Sequence, residues 1–269
     1  MSEDFFTHQI GLEEYITGNR FIDIADTSHA VFCKTDFVLE HRDQAVSVFM
    51  THNSDYHITS KVFEVRPKGL KTWYAQNKDY ESEQLVCIPI GLENMTLRVT
   101  PASQLGRYSS RPAQGLEKAL HISALAKQSL KHDGFVYLNH NANTFPSERN
   151  HVLELFGGQD WVTRKSSVPW QEYYQDIGTH KFVFSPRGNG VDCHRTWEAL
   201  YLRTIPIVRA SVAMQDFKEL PILFVNKWEE ITYDFLIQKY EEMKGQLYDL
   251  SKMKISYWKE KIGGIGKSN

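Results

Sequence analysis

Short apolar runs alternate along the chain with stretches whose apolar positions recur every three or four residues, which predicts strands alternating with helices. In the first half, runs at 30–33, 45–50, 70–75 and 85–90 each precede polar or glycine-containing sequence and predict strands. Residues 95–112, with Pro101, Gly106 and Pro112, predict a connection, and 116–130 a helix. The second half is more regular. Strands at 135–138, 160–163, 181–185, 205–208 and 222–225 alternate with helices at 146–156, 170–177 and 193–202, the first of these with Pro146 near its start. Apolar residues at 236, 240, 243, 247 and 250 predict an amphipathic helix over 236–262, interrupted near Gly245. Such an alternation predicts an α/β fold with largely parallel sheets, as two Rossmann-type halves facing a cleft. The halves are placed at 1–115 and 116–240, with a C-terminal helix and flexible tail at 241–269.

The composition admits this fold. The chain has 269 residues, 41% hydrophobic and 24% charged, which suits one large domain or two smaller ones. A formal net charge of -2 lacks the basic footprint of a nucleic-acid binder. The 13% aromatic share suits a sugar- or nucleotide-handling surface, but a large core also consumes aromatics and is the simpler reading. No run approaches the roughly 18 apolar residues of a membrane span, and the start, Met-Ser-Glu-Asp, lacks a signal-peptide pattern. The prediction is a soluble, cytoplasmic protein. Cys33, Cys87 and Cys193 form no CxxC pair or zinc spacing and predict reduced thiols, which leaves the sequon Asn94-Met95-Thr96 unused. The tail ending Gly-Lys-Ser-Asn resembles a P-loop only in part: Lys261 stands where its first glycine belongs.

Candidate chemistry concentrates in 185–198, Ser-Pro-Arg-Gly-Asn-Gly-Val-Asp-Cys-His-Arg-Thr-Trp-Glu. It joins a predicted strand to a predicted helix, where open α/β sheets place their ligands. Gly188 and Gly190 permit close backbone approach, and Asp192 is a natural N-cap for the helix. A helix N-terminus behind a glycine turn is an anion site and fits a diphosphate. At about 100° per residue, His194, Arg195 and Glu198 share one helix face, while Trp197, Leu200 and Tyr201 can be buried. Arg187 and Arg195 could neutralise a diphosphate, and Glu198 could accept hydrogen bonds from a ribose diol. The same charges could instead form a structural network among themselves. A dinucleotide-dependent oxidoreductase is disfavoured, because the third glycine of GxGxxG is Cys193.

The run SPRGNGVDCHRTWEALYL followed by TIPIV resembles the donor-binding half of exostosin-like glycosyltransferases, especially compact forms encoded by large algal viruses such as chlorovirus xylosyltransferases. THNSDY (51–56), IPIGLEN (88–94), NHNANTFPSER (139–149) and LPILFVNKWEEIT (220–232) agree with it, so the resemblance runs from about residue 29 to 235. It implies a GT-B fold, with the nucleotide on the second half and the acceptor on the first. It implies that Glu198 holds the ribose, that Arg187 and the Gly188–Gly190 turn hold the diphosphate, and that Asn139, Thr144 and Arg149 line the donor cleft. Ser185, Asn189, Asp192, His194 and Arg195 complete the expected donor set. One departure is Arg203, where the family often has glycine before the IPIV strand.

The activity implied is transfer of a sugar, xylose from UDP-xylose after the nearest relatives, to an oligosaccharide or glycoprotein glycan, with inversion. The nucleotide sugar would be a substrate and no cofactor is implied; a viral relative would act in the host cytoplasm. No two aspartates stand two residues apart as in a metal-binding Asp-x-Asp pair, so arginines and the helix N-terminus are expected to carry the diphosphate charge without metal. The base is expected from the first half: Asp55, flanked by His52 and His57, then Asp36 at a strand end, then Glu93. Each of these could equally be a loop cap or a solvated charge, and His52 with His57 lacks a third metal ligand in reach along the chain. The alternative to an enzyme is a non-catalytic nucleotide- or carbohydrate-binding protein of the same fold.

Overall fold

The structure, a computed structural model, describes residues 10–28, 30–96, 112–128 and 130–265. The predicted connection around Pro101 and Gly106 and the end of the predicted tail lie outside the described residues. The protein is α/β. Strands β1 (Val31–Lys34), β2 (Val48–His52), β3 (Thr72–Ala75) and β4 (Leu85–Cys87) form a four-stranded sheet in sequential order, with every pairing parallel. Strands β5 (Gly134–Leu138), β6 (Val162–Arg164), β7 (His180–Phe184), β8 (Ile205–Arg209) and β9 (Leu223–Val225) form a five-stranded parallel sheet in the order β6-β5-β7-β8-β9. Strands covered on both faces read as unbroken apolar runs, and Phe182, Val183 and Phe184 of β7 are fully buried.

Two parallel sheets with flanking helices are compatible with the predicted pair of Rossmann-like halves, but the halves differ. In the second sheet the chain leaves β5 for one neighbour and returns to pair β7 on its other side. Ligands in such sheets sit in the crevice outside the carboxyl ends of the strands at that reversal. The first sheet has no reversal among its described strands.

Helices α1 (Gly18–Ser28), α2 (Ser60–Glu64) and α3 (Pro112–Ala126) belong to the first part of the chain; α4 (Pro146–Phe156), α5 (Trp170–Gly178), α6 (His194–Tyr201) and α7 (Val212–Gln215) follow. Pro146 opens α4, where its missing N–H costs nothing. The predicted C-terminal helix is two helices. The first, α8 (Tyr233–Lys244), is capped by the Thr232 hydroxyl, which accepts from the Phe235 N–H at 3.1 Å, and it buries Leu236, Tyr240 and Met243 on the second sheet. The second, α9 (Ile255–Ile265), returns to the first half. There its buried Trp258 meets the ring of Phe21 in α1 edge-on at 6.2 Å, and the Ser256 N–H donates to Glu14 at 3.1 Å. One apolar core therefore runs from Phe21 and Tyr74 through Trp197 to Trp258, joining both halves.

Candidate active site

A cavity of about 810 Å³ opens at the carboxyl ends of β5 and β7. Three connections supply most of its walls, and Asp55, Ile90 and Lys118 close it from the first part of the chain. The exit of β5 brings Asn139, His140, Thr144 and, from α4, Arg149. The β7–α6 turn brings Gly188, Asn189, Gly190, Asp192, His194, Arg195 and Glu198. Between β6 and α5, and from α5 itself, come Ser166, Ser167, Trp170, Tyr173 and Tyr174.

The charge pattern inside is specific. Arg195 donates from Nε to the Tyr173 hydroxyl at 3.1 Å, while its Nη1 is buried with no hydrogen-bond partner among the described residues. An unpaired buried cationic donor is costly unless a ligand meets it. Arg149 is 6% exposed, held by bonds to the backbone carbonyls of Arg187 and Asn141, both at 2.8 Å. Burial and the neighbouring Arg195 hold its pKa below the ordinary arginine value. Both arginines flank the first turn of α6, which has no side-chain cap and so keeps its positive dipole end available. On the same wall the Glu198 carboxylate accepts from the Tyr174 hydroxyl at 3.0 Å and the Tyr173 hydroxyl at 3.3 Å. Burial pushes both hydroxyls well above ordinary tyrosine, so they stay donors. One wall thus offers concentrated positive charge, and beside it a single aligned carboxylate.

Several expected residues sit elsewhere. Arg187 is absent from the cavity wall: its guanidinium lies over the Phe145 ring at 4.4 Å and donates to His57 Nε2 at 2.9 Å and the Asn189 carbonyl at 2.8 Å. The pair of guanidiniums at the cavity is Arg149 and Arg195 instead. Ser185 is 2% exposed and bonded to the Thr196 hydroxyl at 2.9 Å, a buried link beneath the turn. Asp192 is not the N-cap of α6; Cys193 is. The Asp192 carboxylate accepts instead from Trp197 Nε1 at 2.9 Å and, across the cleft, from the Ile90 N–H at 2.8 Å. Burial pushes its pKa up to about 6. Gly190 gives room to a side chain of the opposite half, since a Cβ there would meet Asn77 Nδ2 at 2.7 Å. Gly188 does face the cavity.

His140 escaped sequence reasoning, although it directly follows Asn139 at the same strand end. Its Nε2 donates to the Arg149 carbonyl at 3.0 Å and its Nδ1 is buried without a partner among the described residues. Burial and Arg195 lower its pKa to about 4. Tyr173 and Tyr174 were read only as helix residues; the signal that could have found them is the helical stripe they share with Trp170, one turn apart.

A second cavity, of about 690 Å³, lies on the side of the first sheet and is walled by Asp36, His52, Asp55, Gln76, Glu93 and Asn94 among others. Asp36 stands in the first turn of a 3₁₀ helix, Thr35–His41, and not at a strand end; Lys34 lies 3.6 Å from it. His52 is 1% exposed with both ring nitrogens engaged, Nε2 donating to the Pro89 carbonyl at 3.0 Å and Nδ1 accepting from the Asn53 N–H at 2.7 Å. Burial lowers its pKa to about 4, so it is a neutral, fixed ring with no nitrogen free for a proton. Asp55 is exposed and accepts from Asn189 Nδ2 at 3.3 Å. Glu93 accepts from Lys118 Nζ at 2.6 Å. Gln76, 1% exposed, has an Oε1 with no partner among the described residues. Asp55, Ile90, Asn189 and His194 belong to the walls of both cavities.

Among the described residues no cluster of His, Cys, Asp or Glu could hold a metal, and no helix is long and apolar enough to cross a membrane. No family model matches the chain, and no curated protein does. Among solved structures it is similar to a chain of the GtfA/B complex, at 14% identity over 83% of this chain, with a TM-score of 0.29. It spans 46% of that chain, about half its length.

Proposed function

We propose that this chain is a glycosyltransferase of GT-B type that takes a nucleotide-activated sugar in the larger cavity and a glycan acceptor in the smaller one. The observation that carries it is the convergence on one wall of Arg149, Arg195 with its unpaired Nη1, the uncapped start of α6 and the tyrosine-aligned Glu198. Two guanidiniums and a helix N-terminus suit a diphosphate; a carboxylate beside them repels phosphate and suits the two hydroxyls of a ribose. The departing nucleoside diphosphate gains negative charge as the glycosidic bond breaks, and fixed donors stabilise that charge. The acceptor side offers carboxylates and amides, Asp36, Asp55, Gln76 and Asn94, which hydrogen-bond to hydroxyls. The sequence resemblance supports UDP-xylose as donor, an oligosaccharide or glycoprotein glycan as acceptor, and an inverting, metal-independent reaction.

Calorimetric titration with UDP and a panel of UDP- and GDP-sugars, with EDTA present, tests the reading. Micromolar UDP binding that survives EDTA is the expected result, with one sugar favoured. A protein that binds no nucleotide would return the 185–198 segment to the structural-network explanation. Slow UDP release from a bound donor without acceptor separates an enzyme from a non-catalytic binding module.

A further inference from the structure

We propose that His194 is the general base that takes the proton from the attacking hydroxyl, an assignment that rests on the donor-site reading above. A base for glycosyl transfer must stand where donor and acceptor meet, with a lone pair facing that point. Of the residues shared by both cavity walls, only Asp55 and His194 have a side chain that can accept a proton as a general base. They are held very differently. Asp55 is exposed, on the loop after β2, with one long bond to Asn189 at 3.3 Å. His194 is the first residue of α6, and its Nδ1 lies 2.7 Å from the carbonyl of Gly91. A carbonyl only accepts, so Nδ1 carries the proton and Nε2 holds the lone pair. Nε2 has no hydrogen-bond partner among the described residues, and the half-buried ring lines both cavities, which leaves that nitrogen to the cleft. The Gly91 carbonyl is itself fixed: Gly91 has φ +66°, a Cβ there would lie 2.2 Å from the Ile16 carbonyl oxygen, and the Leu92 N–H donates to that oxygen at 2.8 Å.

The step balances. The acceptor oxygen forms a bond to the anomeric carbon as its proton passes to His194 Nε2. The bond from the anomeric carbon to the β-phosphate oxygen breaks, and its electron pair leaves with the nucleoside diphosphate. The resulting imidazolium keeps its Nδ1–H on the Gly91 carbonyl, which binds a cationic donor more strongly than a neutral one, and then returns its proton to solvent. A base on the face opposite the leaving group inverts the sugar.

The test uses His194→Asn, whose side-chain amide can still donate to the Gly91 carbonyl, and compares it with Asp55→Asn. UDP affinity is measured by calorimetry, and UDP release from UDP-xylose, UDP-glucose and UDP-galactose is followed with water as acceptor. We expect His194→Asn to bind UDP within about threefold of wild type and to release UDP about 100-fold more slowly, the usual weight of a positioned base. Release within about threefold of wild type would overturn the proposal. So would loss of UDP affinity beyond about tenfold, which marks a donor-binding residue of the kind first expected. If wild type binds UDP yet hydrolyses none of these sugars, ring-¹⁵N NMR of the histidines decides: a His194 Nδ1–H tautomer supports the assignment and an Nε2–H tautomer overturns it. If wild type binds no UDP, the donor reading fails and this assignment falls with it.

Discussion

At Arg195 and Glu198, one helical turn apart on α6, opposite charges face the same cavity and should read different parts of one ligand. The two roles separate by ligand choice. Arg195→Met removes the unpaired Nη1 donor, so UDP affinity should fall by about 10- to 100-fold, the weight of a charged hydrogen bond, while uridine affinity stays within about threefold. Glu198→Gln keeps the size of the side chain and an acceptor for the tyrosine hydroxyls but removes the charge, so UDP and uridine should weaken together. Calorimetry with both ligands checks this; equal loss for both ligands in Arg195→Met would remove the diphosphate role. Single residues also show where sequence reading stops. The face shared by His194, Arg195 and Glu198 was legible because helical periodicity fixes it locally. The exchange of Arg187 for Arg149 was not, because it depends on Phe145 and His57, remote in sequence, drawing Arg187 aside. Arg203 is a middle case: it holds a left-handed φ of +64° just past α6, a conformation that favours glycine, and it donates to the Ala126 carbonyl at the end of α3 at 2.7 Å. The cation that replaces the family's glycine thus stands just past α6 but meets a carbonyl at the end of α3.

Among the elements, those with strong local pattern were readable. The strands appear close to their predicted positions, and α4 runs from Pro146 to Phe156 as predicted, because a proline start and an apolar run need no tertiary partner to be recognised. Helix α1 was not read. It opens on Gly18 and Asn19, a turn signal by composition, but Gly18 is there for packing, since a Cβ would lie 2.0 Å from Asn53 Oδ1, and the buried Asn19 accepts from Asn53 Nδ2 at 3.3 Å. The pairing of α1 with α9 was equally invisible, since it joins residues more than two hundred positions apart, yet the fold leans on it. Trp258 is fully exposed to neither solvent nor cleft; its ring is buried against Phe21 and its Nε1 donates to the Lys252 carbonyl at 3.1 Å. Trp258→Ala should lower unfolding stability by about 3–5 kcal/mol, the range for emptying a core tryptophan site. Urea denaturation measures it, and a loss below about 1 kcal/mol would show that α9 is an accessory to the first half.

Across the whole molecule the two halves are joined by apolar packing and by two carboxylates, Asp192 buried and Asp216 half-buried, that reach from the second half to backbone N–H groups of the first. Asp216 accepts from the Cys87 N–H at 2.8 Å and pairs with Lys78 Nζ at 2.9 Å, while Asp192 accepts from the Ile90 N–H at 2.8 Å. The stability of the fold should respond to pH, and the sign follows from its buried and half-buried histidines and Asp192. His52 and His140 titrate near 4 in the fold, against 6.5 ordinarily. Between those values the unfolded chain binds more protons at both sites, so stability falls as pH drops. Asp192 titrates near 6 in the fold, against 3.8 ordinarily. Over that window the folded chain binds the extra proton, so this carboxylate pulls the other way, its contribution falling as pH rises through 6. Two histidines oppose one carboxylate, and His180, lowered by burial, adds to the histidine side. The urea midpoint should therefore fall between about pH 6.5 and about pH 4.5. Asp192→Asn removes the opposing group while keeping an acceptor for the Ile90 N–H, so its midpoint should fall more steeply over the same window than that of wild type. A shallower fall in Asp192→Asn would mean that the carboxylate is ionised throughout, and that the junction between the halves is held as a charge and not as a titrating acid.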